Sequence, residues 1–143
     1  DVYKRQKQDA PTSLELSMEI CSEAAPSADD WPSDISIQVN GVNIGTWTSP
    51  TDFADKRGLL TPDWWPDDSS QYGLLKFWRV DQDGSYIDGR KVSSINIDEL
   101  SLSDNPQIRV RIGVDDKAVN RGGVNLFGKH FGNHAQDIIM RID

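Results

Sequence analysis

Five tryptophans, Trp31, Trp47, Trp64, Trp65 and Trp78, are many for 143 residues. The pair Trp64-Trp65 sits between Asp63 and Pro66, in a stretch with no sustained hydrophobic period. An indole face packs against the apolar side of a ligand while its N–H seeks an acceptor. In such a pair one ring is expected to pack inward as a staple. The other either packs too or stands as an exposed platform in a ligand pocket. Arg57 and Arg79 lie near these rings in sequence; a guanidinium can orient a polar or anionic ligand, or simply pair with a nearby aspartate. Trp47 and Trp78 fall in or at the ends of strand-like runs, where core packing is the plain alternative. The candidate ligand site is therefore Trp47, Asp52, Asp55, Arg57, Trp64, Trp65 and Trp78.

Other constellations are weaker. Asp81-x-Asp83-Gly84-Ser85 opens like a calcium loop, but its glycine comes at the fourth position and Val92 stands where the bidentate acid belongs. A hairpin turn is the better reading. His130 and His134 are four apart, a spacing that gathers metal ligands only on a helix, and Lys129-His130-Phe131-Gly132-Asn133-His134 is not helical. Pairs of carboxylates could hydrolyse a glycoside at the right separation, yet with 23 acids some pairs arise by chance. There is no nucleophile elbow and no phosphate-cradling glycine loop ahead of a helix. No catalytic residue, metal or cofactor is expected.

The elements that must hold these residues read as short strands. Ser13–Cys21 alternates, with Leu14, Leu16, Met18 and Ile20 facing one way and Glu15, Ser17 and Glu19 the other, which predicts a half-buried strand. A polar loop, 22–32, follows. Asp34–Val39 and Val42–Trp47 flank Asn40-Gly41, a strong hairpin signal because both central residues of a type I′ turn need positive φ. Thr48–Tyr72 holds three prolines and no period. A loop that long is either packed down by its own aromatics or functional. Leu74–Val80 and Ser85-Tyr86-Ile87 flank a turn at 81–84, and Asp88-Gly89 marks another. Val92, Ile95 and Ile97 suggest a strand ending near Leu100; Gln107–Val114 alternates; Gly122–Gly132 is dense in glycine; Ala135–Ile142 ends the chain as a strand. About eight short strands without a long amphipathic helix predict an all-β fold, an antiparallel β-sandwich or jelly roll.

Composition agrees with a folded domain: 36% hydrophobic and 27% charged residues. No apolar run is long enough to span a bilayer, and no signal peptide is evident. The net charge of −8 disfavours direct binding to a phosphate backbone. Cys21, the one cysteine, has no intrachain partner and reads as a small buried hydrophobe. Asp1-Val2-Tyr3-Lys4-Arg5-Gln6 reads as a translated sequencing adapter. Residues 1–6 are therefore set apart from a single domain at 7–143, and a longer natural protein of metagenomic origin is expected.

Several strings are distinctive: Leu14-Glu15-Leu16-Ser17-Met18-Glu19-Ile20-Cys21-Ser22-Glu23, Trp31-Pro32-Ser33-Asp34-Ile35, Asn40-Gly41-Val42 with Ile44-Gly45-Thr46-Trp47, and Leu60-Thr61-Pro62 with Trp64-Trp65-Pro66. Tyr72-Gly73-Leu74-Leu75-Lys76, Arg109-Val110-Arg111-Ile112-Gly113-Val114 and Asn125-Leu126-Phe127-Gly128-Lys129 join them. From Leu14 to Arg141 the chain resembles the C-terminal region of ArsR-like winged-helix transcriptional regulators of Gram-positive bacteria. The resemblance implies a cytoplasmic, two-part protein: an N-terminal winged helix on DNA and a β-rich domain that senses an effector. Here the winged helix and the sandwich's first strands would be missing, so DNA would be reached only through the absent part. The expected partners are a small-molecule effector, a carbohydrate or another polar molecule, and a second copy in a full-length homodimer; no membrane contact is expected. A binding module of a carbohydrate-active enzyme and a ligand-free dimerisation domain are the competing readings.

Overall fold

The computed structural model describes residues 10–24 and 30–143; the adapter-like residues 1–6 and the middle of the 22–32 loop lie outside them. Strand β1, Leu14–Cys21, is the spine. Its whole length pairs antiparallel with β4, Leu74–Val80, from Leu14↔Val80 to Ile20↔Leu74. Beyond β4 come β5, Ser85–Ile87, and β6, Arg90–Ser93. The other edge of β1 is shared end to end: β8, Asn125–Phe127, pairs with Glu19–Cys21, and β9, Ile139–Ile142, pairs with Leu14–Ser17. The second sheet runs β3-β2-β7, built from Ser33–Val39 (β2), Val42–Ser49 (β3) and Val110–Val114 (β7). Two antiparallel sheets with a shared apolar interior make an all-β sandwich.

The turns form for the reasons their residues dictate. Asn40 and Gly41 adopt φ of 50° and 82°, so Val39 pairs with Val42. Asp88 and Gly89, at 50° and 81°, close β5 on β6 in the same way. Asp81 caps its own turn: its carboxylate accepts the Asp83 N–H at 2.8 Å, and its N–H donates to the Gly84 carbonyl. The inward residues of β1, Leu14, Leu16, Met18 and Ile20, meet Ile35, Ile37 and Val39 of β2, with Ile44, Trp78, Val80, Ile87, Ile97 and Leu100 completing the core. Burying each such aliphatic side chain contributes about 1.5–3 kcal/mol.

Three expectations change. Glu15, Ser17 and Glu19 are expected on a solvent face, yet Ser17 and Glu19 are buried, while Cys21 is buried as expected. The 50–73 and 128–137 segments fold back over that face, so much of β1 is covered on both sides. Ile95 and Ile97 do not extend a strand: β6 stops at Ser93 and a 3₁₀ turn spans Ile97–Leu100. The Asn96 side chain accepts the N–H groups of Asp98 and Glu99, and that cap displaces the ladder. The last strand is also shorter than expected, because the chain leaves the sheet after Phe127 and returns only at Ile139. The strands number nine among the described residues, and no helix among them is long and apolar enough to cross a membrane.

Candidate ligand-binding site

The site begins with a carboxylate under two loops. Glu19, fully buried on the outer face of β1, accepts the Gly73 N–H at 2.8 Å, the Asn133 N–H at 2.9 Å and the His134 N–H at 2.9 Å. Glycines permit this approach. A Cβ on Gly132, whose φ is +78°, would overlap the Glu19 carboxylate, and one on Gly73 would come within 2.8 Å of the Ile20 backbone. The loops also bind each other. Thr61 Oγ1 donates to the Gln71 carbonyl and accepts the Gly132 N–H at 3.1 Å, while the Leu60 N–H donates to the Gly132 carbonyl at 2.7 Å.

This scaffold presents three rings. Trp64, Trp65 and Phe131 stand edge to face, with centroids 5.5–5.9 Å apart. Trp65 is half-buried and its Nε1–H donates to the Ser70 carbonyl at 2.9 Å, whereas Trp64 is 72% exposed. Arg57 shapes the turn that carries them. Its Nη1 donates to the carbonyls of Pro62 and Trp65 at 3.1 and 3.0 Å, and its Nη2 pairs with Asp67.

Beside Trp65 and Phe131 opens a cavity of about 420 Å³. Leu126 and Phe127 supply more apolar wall, and Ser69, Ser70, Asn125 and Glu23 supply polar groups. The polar side is ordered as a relay: Asn125 Nδ2 donates to Ser70 Oγ at 2.9 Å, and Ser70 Oγ donates to the buried Asp52 at 3.3 Å. Cys21, adjoining this relay, has its thiol pushed far up, first by burial and then by the Asp52 charge. It stays a neutral thiol, unsuited to attack a substrate.

The structure thus brings together Trp64, Trp65 and Arg57, with Asp52 behind Ser70. Asp55 lies to one side: it accepts the Tyr72 hydroxyl at 2.5 Å, and burial with that carboxylate pushes the phenol up to about 12. Trp47 belongs to the sandwich, with Lys76 Nζ 4.7 Å from its ring centroid. Trp78 is fully buried in the core and donates to the Gly45 carbonyl at 3.2 Å. Sequence reasoning did not single out Glu19, Ser70, Asn125 or Phe131 for a site. The dense glycines of 122–132 were the available signal for the last two, because they mark backbone packed closely on something else. Neither histidine joins a metal set; among the described residues no three His, Cys, Asp or Glu side chains gather as a cation would need.

No protein-family model, curated protein or solved structure matches the chain.

Proposed function

We propose that this chain is a non-catalytic ligand-binding domain whose cavity beside Trp65 and Phe131 takes a small polar molecule with one apolar face, a carbohydrate being the best fit. The observation that carries this is the pairing of aromatic wall and polar relay: Trp65 and Phe131 on one side, Asn125, Ser70 and Asp52 on the other. Rings cover the C–H face of a sugar, and amide, hydroxyl and carboxylate groups match its hydroxyls. Glu23 and Asp52 make the surroundings acidic, which favours a neutral or cationic ligand over an anion.

We read the domain as the sensing half of a bacterial transcription regulator, a reading that rests on the sequence resemblance. Its mechanism needs a ligand that prefers one of two arrangements. The supporting feature is the Glu19 latch, which ties both site-forming loops to β1, the strand that β4, β8 and β9 all pair with.

The test is a titration of tryptophan emission with mono- and oligosaccharides. The expected result is a saturable change, weakened about tenfold or more in Trp65→Ala and in Asn125→Ala. A ligand that binds both variants as it binds the parent would remove this cavity from consideration. No response in a folded chain would remove carbohydrates. A winged helix encoded upstream supports the regulator; a secretion signal and catalytic domain there would make this a module of a carbohydrate-active enzyme.

A further inference from the structure

The cavity beside Trp65 and Phe131 is acidic and short of donors. Its wall holds the rings of Trp65, Phe127 and Phe131, the carboxylate of Glu23, and no lysine, arginine or histidine. Arg57, which grips the turn that carries Trp65, spends its charge on Asp67. Glu23 makes no ion pair among the described residues. The negative field extends to Cys21, whose thiol is pushed up first by burial and then by the charges of Asp52, Glu19 and Glu23.

The side-chain donors of the wall are committed inside the protein. Trp65 Nε1–H donates to the Ser70 carbonyl, and Ser70 Oγ–H donates to Asp52. Asn125 Nδ2 donates to both Ser70 Oγ and the Ser22 carbonyl. What remains is acceptors, Asn125 Oδ1 and the Glu23 carboxylate, with the Ser69 hydroxyl able to act either way. A ligand carboxylate or phosphate would meet repulsion here and few donors to replace its water. An ammonium group fits instead: it brings three N–H donors, pairs with a carboxylate, and is attracted to the face of an aromatic ring.

Resting on the carbohydrate reading of this cavity, we propose that its ligand is an amino sugar in the protonated form, with the C–H face on Trp65 and the ammonium toward Glu23. The aromatic wall takes the sugar ring, and the acceptors take the charged donor that a plain sugar lacks.

The test is calorimetric titration of the 143-residue chain at about pH 6, where an amine is protonated. Glucosamine, galactosamine and mannosamine are each compared with the parent sugar and with the uncharged N-acetyl derivative. In at least one series the amine is expected to bind about tenfold or more tighter than both neutral forms. Glu23→Gln should cut that ratio to about threefold or less, and Glu23→Lys should invert it. Glu23 is exposed, so both variants keep the fold. Neutral sugars that bind as tightly as their amines would overturn the proposal and leave the carbohydrate reading standing. So would a ratio that neither Glu23 variant changes. Binding by no sugar, charged or neutral, would overturn both.

Discussion

The Glu19 carboxylate lies 2.9 Å from the amide nitrogen of Asn133, a residue 114 positions later in the chain. That contact, with those to His134 and Gly73, turns one side chain of β1 into the fastening for two loops. Removing it leaves three amide donors without their acceptor in a buried place, and each orphaned group costs about 1–3 kcal/mol. Glu19→Ala is expected to destabilise the fold by roughly 3–5 kcal/mol, allowing for partial rehydration. Urea unfolding followed by circular dichroism measures it. A loss below about 1 kcal/mol would mean the loops hold without the latch.

Glycine substitution gives a paired prediction. Gly132→Ala forces a Cβ into the Glu19 carboxylate at a positive φ, and should cost about 2 kcal/mol or more. Gly113→Ala, in β7, meets nothing within 4 Å and should be neutral or slightly stabilising. Equal midpoints for the two variants in one denaturation series would contradict the packing of the 128–134 loop on β1.

Cys21 should be silent toward a thiol reagent while the chain is folded. Burial and the nearby Asp52 both disfavour the thiolate, which is the reacting form. With a disulfide reagent at pH 8, the native chain is expected to release almost no colour, and the urea-unfolded chain one equivalent. Prompt reaction of the folded chain would show the thiol to be accessible.

Asp34 supplies the pH dependence. Its carboxylate accepts from Thr48 Oγ1 at 2.7 Å and from the Asn120 N–H at 3.0 Å, and the Thr48 bond foremost holds its pKa below the usual carboxylate value. A depressed pKa contributes stability above the unfolded value, lost as pH falls through the folded one. Asp34→Asn should therefore be less stable than the parent at pH 7, with the gap narrowing below about pH 4. A gap unchanged down to pH 2 would assign the effect to shape rather than charge.

Much of the sandwich was legible because alternation and turn chemistry are local. Leu74–Val80 and Ser85–Ile87 appear with the bounds read from the sequence, and Asn40-Gly41 makes the turn its φ requirement predicts. Illegible was anything set by residues distant in sequence. Glu19 looks like an ordinary outward acid in an alternating strand, and only the return of residues 132–134 buries it. Ile97 fits a strand period, but the neighbouring Asn96 cap wins. Trp64 and Trp65 were visible as a pair. Their third ring, Phe131, lies 66 positions beyond Trp65 and carries no local sign of the contact.

The shared edge of β1 has a consequence during synthesis. It pairs with strands that the ribosome makes more than a hundred residues later: Leu14 meets Ile142, and Ile20 meets Leu126. While the middle of the chain emerges, β1 has only β4 beside it, and its other backbone edge waits for more than a hundred residues to follow. Such long-range closure slows folding and lengthens exposure to other nascent chains. A ribosome pausing before residue 139 would hold the sheet without β9, with Leu14 and Leu16 beside an open seam where a chaperone or another nascent chain can pair.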